Sequence, residues 1–413
     1  MRRVNMVLGM VWAVLAVVWV ELIRDGRHWL AHRFPKAFLG HYVHHRAYRQ
    51  DWSWVSEKLY REAEWRNDVP EALTLVLAAV LLWGVMHSVA PSWGWSVGIP
   101  YALSFLGMAL ARSRGWATHS DFTHLPGAFG GPPTQWFVNR PYHWRHHFDN
   151  GQAYFGGTLT VFDRIMGTAL SLKDKTVAVT GASGALGRAL LTCLLEQGAK
   201  PLALTSHDRP ILVTVGGEER EIPRVVWQVG QEVDLLDTLR QVDILILNHG
   251  VNVYGCRTPE AIDTSTEVNA LSQWRMMELF LSQIKTNADI ARKEVWVNTS
   301  EAEVSPALSP LYELSKRYLG ELVTLRRLDA PCIIRKLILG PFKSSLNPYG
   351  VMSPQWVARQ IIALAKRDFR DIVITINPLT YVLFPLKELS HSLYFRLFSR
   401  KEKPQSTITP APH

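Results

Sequence analysis

Cysteine is scarce in this sequence of 413 residues, and the few cysteines that occur are far apart. Cys193, Cys256 and Cys332 are the three, and no two of them form a CxxC pair. This spacing provides neither a disulfide framework nor a cysteine metal site. We therefore expect a reducing, cytoplasmic setting for the part of the chain that holds them.

The sequence also lacks a basic patch interleaved with aromatic residues, although its net charge is +9. The basic residues flank apolar runs and the C-terminal segment, so we expect no binding to nucleic acid. Attraction to an anionic membrane surface fits this distribution better. The apolar run of residues 6–23 follows two arginines, but no small-residue cleavage site follows the run. It is therefore predicted to be a retained helix rather than a signal peptide.

Charge is missing from residues 88–98, which lie between two apolar segments. Residues 69–111 are long enough for two membrane helices separated by Pro91–Gly94, because a bilayer core needs about 20 apolar residues per helix. Residues 24–68 are rich in Arg and Lys, and the positive-inside rule places such a loop in the cytoplasm. A hairpin over 69–111 returns its flanking segments to that face, whereas the orientation of the N-terminus stays open.

Histidine, by contrast, recurs in four spaced clusters. Residues three or four apart on a helix share a face, so each cluster can aim several imidazoles at one point. Neutral imidazole suits iron, zinc, copper or nickel, which leaves the metal open. The predicted ligands are His28, His32, His41, His44, His45, His119, His124, His143, His146 and His147. Asp25, Asp121 and Asp149 are candidates to hold the second nitrogens of these rings.

The histidine spacings, together with the segment from Asn150 to Thr168, resemble the integral-membrane fatty acid hydroxylase and sterol desaturase superfamily over residues 20–170. The resemblance implies an α-helical integral-membrane domain with a non-haem two-metal centre. Two iron ions are the expected metals, with zinc as an alternative. Such a centre activates dioxygen to hydroxylate or desaturate a lipid, and it implies an electron donor such as a ferredoxin or a cytochrome.

The second half of the sequence has a different periodicity, which begins after a short polar hinge at residues 171–175. Thr176–Thr180 is a β-branched apolar run that ends in a glycine-rich turn and leads into a helical pattern. Such a turn lets the backbone approach a pyrophosphate at a helix N-terminus. Further strands are predicted at 201–205, 225–229, 243–247, 294–298, 332–338 and 372–376, with a hairpin at 211–223. Helices predicted at 271–284 and 353–366 complete the pattern of a doubly wound α/β Rossmann domain.

This half resembles the short-chain dehydrogenases/reductases, which implies a nicotinamide cofactor and a proton-transfer site. The residues that match the cofactor site are Gly181, Ser183, Gly184, Gly187, Asp234 for the adenine, Asn248 and Gly250. The residues that match the catalytic set are Asn269, Ser300, Tyr312 and Lys316. In the family, the tyrosine exchanges the carbinol proton, the serine binds the carbonyl oxygen, the lysine reaches the ribose and the asparagine holds a water.

The preference between NADPH and NADH depends on the end of the second strand. An acid there would favour NADH by binding the ribose hydroxyls, but Ser206 occupies the place. Arg188 and Arg209 are nearby to meet a 2′-phosphate. The sequence therefore favours NADPH.

The chain is thus predicted to contain a membrane domain at 1–170, a Rossmann domain at 171–378 and a tail at 379–413. Residues 379–400 mix aromatic, leucine and basic residues at near-helical spacing, which suits either the membrane interface or packing on the dehydrogenase core. Residues 401–413 are expected to be disordered.

The leading hypothesis is a bifunctional lipid-modifying oxidoreductase with both catalytic domains on the cytoplasmic side of the membrane. Dioxygen-dependent hydroxylation or desaturation of a lipid would be coupled to interconversion of an alcohol and a carbonyl. The arrangement resembles prokaryotic proteins that join a sterol desaturase to a short-chain dehydrogenase. The alternatives are an aldehyde-processing enzyme that forms a hydrocarbon, and an NADPH-binding, membrane-anchored redox sensor.

Overall fold

The computed structural model describes residues 2–400, with side chains from Asn5 onward. The segment 401–413, for which disorder is predicted, lies outside the described residues. The N-terminal half is helical, and its helices are α1 Arg2–Arg33, α2 Leu39–Arg46, α3 Glu57–Ala63, α4 Val69–Val89, α5 Gly98–Ser113, α6 Arg140–Phe148 and α7 Val161–Met166. A π-helical turn, Glu64–Asp68, joins α3 to α4, and a 3₁₀ turn, Trp93–Val97, precedes α5.

Three helical segments of the described chain are long and apolar enough to cross a membrane by length and composition, namely Asn5–Arg33, Glu57–Val89 and Trp93–Ser113. They pack on one another through a small core of Val20, Leu75, Ala79 and Ala102. Elsewhere α4 exposes large side chains such as Leu77, which is 60% exposed. A helix that is apolar on its outer face as well as on its packed face suits lipid surroundings.

The C-terminal half is a parallel sheet with helices on both faces. Its strands are β1 Thr176–Thr180, β2 Lys200–Thr205, β3 Leu212–Val215, β4 Glu218–Glu221, β5 Arg224–Val226, β6 Ile244–Leu247, β7 Glu294–Asn298, β8 Ile333–Leu339 and β9 Asp371–Ile374. Its helices are α8 Ala185–Glu196, α9 Leu236–Arg240, α10 Pro259–Thr266, α11 Ser272–Leu281, α12 Asn287–Arg292, α13 Pro310–Arg326, α14 Pro354–Lys366 and α15 Thr380–Phe398.

The seven-stranded sheet has the order β5-β2-β1-β6-β7-β8-β9, and β3 and β4 form a separate antiparallel hairpin. From β1 the chain adds β2 and β5 on one side of the sheet and then β6 to β9 on the other side. Doubly wound dinucleotide-binding folds have the same switch in direction next to their first strand. The predicted strands are all present. The strand predicted at 225–229 is shorter and is displaced by one residue, to Arg224–Val226.

The predicted polar hinge at 171–175 is partly buried. Leu172 and Lys175 are 2% and 1% exposed. Leu172 belongs to the core of the sheet, and the ammonium of Lys175 lies 2.7 Å from the carboxylate of Asp149 in the first half. The two halves are therefore joined by a packed segment.

The histidine half docks on the amino-terminal edge of the sheet. Arg145 on α6 pairs with Glu294, the first residue of β7, at 3.0 Å. Arg370, just before β9, donates to the carbonyl of Pro133 at 2.6 Å, and the indole of Trp144 belongs to a cluster with Ala291 on α12. Because the strands are parallel, their carboxyl ends point away from this interface. A strand of five residues spans roughly 17 Å, which separates the two candidate sites.

Candidate functional site

The glycine-rich turn between β1 and α8 lies close to the end of β6. Gly181 has a φ of +60°, and a Cβ on it would lie 2.9 Å from the Cα of His249. A Cβ on Gly187 would lie 2.3 Å from the carbonyl oxygen of Gly181. The hydroxyl of Thr180 accepts the backbone N–H of Asn248 at 2.8 Å. Glycine at positions 181 and 187 therefore allows the turn to pack tightly against the end of β6. The turn leads through Ser183 and Gly184 into the N-terminus of α8.

The remaining predicted cofactor residues lie along the same carboxyl edge. Ser206 is exposed just after β2, and Gly250 follows β6. Asp234 is exposed on a 3₁₀ turn, Glu232–Leu235.

Glu232, which the sequence did not single out, anchors the turn that carries Asp234. Its carboxylate accepts hydrogen bonds from Ser272 at 2.6 Å and from Arg275 at 2.9 Å. Burial raises the pKa of Glu232, but these hydrogen bonds outweigh burial and bring the pKa to about 2. The side chain is thus an ionised brace for the turn.

Ser300, Tyr312 and Lys316 come together at the end of β7. Ser300 follows the strand with a φ of +73°, and Tyr312 and Lys316 lie one turn apart on α13. The ammonium of Lys316 donates to the carbonyl of Asn298 at 2.8 Å and lies 6.0 Å from the ring centre of Tyr312. Burial lowers the pKa of Lys316 to about 7, while Glu303 opposes this shift. Burial raises the pKa of Tyr312, and a hydrogen bond with Ser300 acts in the opposite direction.

Asn269 lies in a π-helical turn, Glu267–Leu271, between α10 and α11. Its amide oxygen accepts the N–H of Val251 at 2.8 Å, and its amide nitrogen donates to the carbonyl of Val251 at 3.0 Å. The nitrogen also contacts the hydroxyls of Ser265 and Ser315. In this structure the side chain therefore holds the loop after β6, and it has little capacity left for a water.

Several buried polar atoms around this edge have no hydrogen-bond partner. Among the described residues they include His249 Nε2, Asn298 Oδ1 and Thr299 Oγ1. Buried polar atoms normally find partners, so these atoms mark places where a bound molecule would supply them. The tight glycine turn and these free atoms fit a dinucleotide along the edge.

Nine of the ten predicted histidine ligands converge into two groups beside α6. The first group consists of His28, His32, His41, His45 and His146. The second group consists of His44, His124, His143 and His147. Within each group the candidate ligand atoms lie within 4.8 Å of one another, which suits two neighbouring metal ions held by imidazole nitrogen.

The second ring nitrogens of several histidines are held by the protein. Nδ1 of His28 lies 2.8 Å from the carbonyl of Phe155, and Nδ1 of His146 lies 2.7 Å from the carbonyl of Ala153. Nδ1 of His124 lies 2.7 Å from the carboxylate of Asp121. These contacts leave Nε2 free to bind a metal, as in metal sites whose ligands are oriented by outer partners.

Asp25 and Asp149 do not act as such partners in this structure. Asp25 accepts the N–H of Gly157 at 2.9 Å, and Asp149 pairs with Lys175 and Arg292. Asn67, which was not predicted as such a partner, places its amide oxygen 3.3 Å from Nδ1 of His41.

The surroundings of the histidines on α6 favour their neutral form. Burial and the neighbouring imidazoles hold the pKa values of His143, His146 and His147 well below the ordinary value of 6.5. Metal coordination requires the neutral ring. The chemistry of the donor set therefore fits a metal centre.

His119 is not brought to either group. It lies exposed on a 3₁₀ turn, Thr118–Ser120, after the end of α5. The spacing HxxxxH implies a shared helical face only where the chain is helical, and a bend separates His119 from His124. The predicted tenth ligand is thus apart from the centre.

Comparison with known proteins gives one near relative and several distant fold neighbours. No protein-family model matches the chain. A short-chain dehydrogenase from Burkholderia cenocepacia, determined with NADP, has a TM-score of 0.44 and 18% identity, covering 56% of this chain and all of its own. An aldohexose dehydrogenase from Thermoplasma acidophilum has a TM-score of 0.41 and 18% identity, covering 49% of this chain and 93% of its own. The fold assignment therefore rests on the strand order alone.

The near relative is a monoglucosyldiacylglycerol epimerase from Synechocystis sp. It is 53% identical over 411 residues, which cover 95% of this chain and 98% of the relative. The similarity therefore runs through both the histidine half and the Rossmann half. This chain belongs to the family of the Synechocystis monoglucosyldiacylglycerol epimerase.

Proposed function

We propose that this protein epimerises the sugar of a membrane glycolipid, with monoglucosyldiacylglycerol as the substrate. The observation that carries the proposal is the set of Ser300, Tyr312 and Lys316 beside a dinucleotide turn, in a chain so similar to an enzyme of that name. An epimerase inverts one carbon without net oxidation. A site that exchanges a carbinol proton can invert the carbon by way of a keto sugar. The predicted interconversion of alcohol and carbonyl is then a reversible step within the epimerisation.

When bound, a nicotinamide cofactor would supply a hydride acceptor for the oxidation and a hydride donor for the reduction. The turn from Gly181 to Gly187 would hold its pyrophosphate, and Asp234 would hold its adenine. Ser206 in place of an acid supports NADPH over NADH, with Arg188 and Arg209 as candidates to meet a 2′-phosphate.

Side chains of the protein transfer the proton of the sugar hydroxyl and bind the oxygen of the keto sugar. In its ionised form, the oxygen of Tyr312 takes the proton from the sugar hydroxyl as the C–H bond breaks, and the resulting phenol returns that proton to the carbonyl oxygen when the C–H bond forms again on the opposite face. The hydroxyl of Ser300 donates to the carbonyl oxygen of the keto sugar. The keto sugar has to turn over between these events, so the site must leave it room. Leu308 and Tyr349, on loops after β7 and β8, are 95% and 92% exposed.

The proposal is tested by incubating detergent-purified protein with monoglucosyldiacylglycerol and a nicotinamide cofactor under nitrogen. We expect a product of unchanged mass with one inverted sugar carbon, and no net change in the redox state of the cofactor. A product of altered mass, or no epimer at all, would contradict the proposal.

The histidine groups favour a second activity. We propose that they hold two metal ions, with iron expected and zinc not excluded, and that this half oxidises a lipid by hydroxylation or desaturation. Iron held by these histidines would supply dioxygen activation, with electrons from a donor such as a ferredoxin or a cytochrome. The aldehyde-processing, hydrocarbon-forming enzyme and the NADPH-binding, membrane-anchored redox sensor remain alternative functions of the whole chain. Because the two sites lie on opposite edges of the sheet, we infer that they do not share one cavity.

Metal analysis tests the histidine centre directly. We expect about two metal ions per purified chain, because the two groups offer five and four ligands. His146→Ala should lose at least one of them, whereas the matched change His119→Ala should keep both because His119 is exposed and outside the groups. Equal metal content in the two variants would contradict the assignment.

We also propose that the protein is integral to the membrane with both halves on the cytoplasmic side. Support comes from the three candidate spans and from the Arg- and Lys-rich segment 24–68. The bilayer and its lipids are then the partners of the N-terminal half.

A further inference from the structure

Helix α15 turns its charged residues inward and its large apolar residues outward. Lys387 contacts the carboxylates of Glu303 at 2.7 Å and Glu321 at 2.8 Å. Glu388 lies 2.7 Å from the ammonium of Lys336. A helix on the surface of a soluble domain normally has the opposite arrangement. The polar side of α15 is therefore used for attachment to the Rossmann half.

The outward face of α15 forms a continuous apolar row, which we call the outer stripe: Val382, Leu386, Leu389, Leu393 and Leu397. These residues are 58%, 59%, 67%, 55% and 68% exposed, respectively. Their spacing of three or four residues places them on one side of the helix. An exposed row of this length marks a surface that contacts something other than water.

A lipid bilayer suits the outer stripe better than a second copy of the chain. The stripe ends beside exposed Arg396 and Arg400, and the one acid in the described part of α15, Glu388, points inward. A symmetric pair of stripes would bring like charges together without a counter-charge from either stripe. Leucines beside basic residues are instead typical of helices in the headgroup region of an anionic membrane. The same chain already carries three candidate membrane spans.

Helix α15 is also tied to the loop that carries Ser300. The hydroxyl of Thr380, at the start of the helix, donates to Glu301, and Lys387 pairs with Glu303. Glu301 directly follows Ser300, and Glu303 lies two residues further on. The helix starts with Thr380 at the carboxyl edge and runs back towards the amino-terminal edge. Glu388 in its middle pairs with Arg327 at 3.1 Å. Arg327 in turn donates to the carbonyl of Arg370 at the amino-terminal edge. The stripe thus follows the whole depth of the sheet.

We propose that the outer stripe lies in the headgroup region of the bilayer and holds this side of the Rossmann half, from Val382 near the Ser300 loop to Leu397, along the lipid surface. Because α15 begins at Thr380, which is bonded to Glu301 beside Ser300, this contact gives the Ser300 site its access to a lipid. The choice of a glycolipid as the molecule that enters rests on the proposed function. The membrane contact itself does not.

The contact is tested with full-length protein in vesicles of phosphatidylglycerol and phosphatidylcholine. A fluorophore is attached at Leu389→Cys, or at Ile262→Cys on α10 as a matched exposed apolar control, each in a Cys256→Ser background. We expect nitroxide-labelled lipids to quench the label at position 389 several-fold more than the label at 262. Equal quenching would overturn the proposal, as would protection of position 389 that depends on protein concentration and not on lipid.

An activity assay separates this proposal from the proposed function. Leu389→Glu/Leu393→Glu should raise the KM for vesicle-bound glycolipid by roughly tenfold, with kcat unchanged, whereas Ile262→Glu/Val226→Glu should not change it. An unchanged KM in the stripe variant would overturn the link to substrate access. Strong quenching at 389 without glycolipid conversion by the wild type would support the membrane contact and contradict the proposed function alone.

Discussion

Tyr312→Phe should lower the rate of epimerisation by about 10²- to 10⁴-fold, the usual contribution of a positioned acid–base group. The change removes the hydroxyl that exchanges the proton of the sugar and keeps the ring that packs beside Lys316. Folding and cofactor binding should therefore be retained. The measurement is the initial rate of epimer formation, together with the melting temperature of the purified protein.

The matched control for this prediction is Tyr318→Phe. Tyr318 lies on the same helix, is 46% exposed and is not part of the proposed site. Its loss of a hydroxyl should leave the rate within about twofold, as expected for a surface change. A Tyr312→Phe enzyme that is as active as this control would remove Tyr312 from the mechanism.

Glu294→Gln should destabilise the protein by about 3–5 kcal/mol, because it leaves buried cations without a counter-charge. The carboxylate lies 2.8 Å from Arg335 and 3.0 Å from Arg145, and all three side chains are at most 1% exposed. Arg145 lies between Trp144 and His146 on α6, so the same change should reduce metal content. Thermal unfolding and metal analysis of the full chain measure the two effects.

Glu218→Gln is the control for Glu294, because its ion pair with Arg220 is exposed at the hairpin. Exposed pairs contribute little, so this variant should melt within a degree or two of the wild type. If the two variants melt at the same temperature, the buried pair does not hold the halves together.

Acid should weaken the same interface. Burial raises the pKa of Glu294, but Arg335 and Arg145 outweigh burial and bring the pKa to about 2, below its ordinary 4.5. A carboxylate with a lowered pKa in the folded state stabilises the fold fully above pH 4.5 and loses that contribution as the pH falls towards 2. Part of the acid sensitivity of the wild type should therefore be absent from Glu294→Gln.

Short-range patterns predicted much of the fold. The strand Thr176–Thr180 and the turn at Gly181 are encoded by neighbouring residues, so β-branched content and glycine spacing were sufficient to place them. The histidine pairs on α1, α2 and α6 were found for the same reason, since helical spacing alone puts their members on one face. Ser300, Tyr312 and Lys316 were found through a family resemblance and lie together in the structure.

Contacts between distant parts of the chain were beyond the reach of these patterns. His119 follows the end of a helix, where spacing no longer indicates a shared face. Asn67 meets His41 across 26 positions, and nothing near Asn67 signals that contact. Segment 171–175 has a polar composition, yet Lys175 is buried because Asp149 supplies its counter-charge. The spacing in α15 predicted an amphipathic helix, but the side that faces the protein depends on Glu303, Glu321 and Lys336 elsewhere in the chain.

The most direct test of the proposed epimerisation uses substrate with deuterium in place of the carbon-bound hydrogen at the inverted centre. The keto-sugar route predicts that the epimer keeps its deuterium, because the hydrogen leaves and returns as a hydride and does not exchange with water as a proton. Unlabelled substrate in D₂O should correspondingly gain no deuterium at that carbon. Loss of the label to water during inversion would contradict the account and assign the reaction to proton abstraction from carbon.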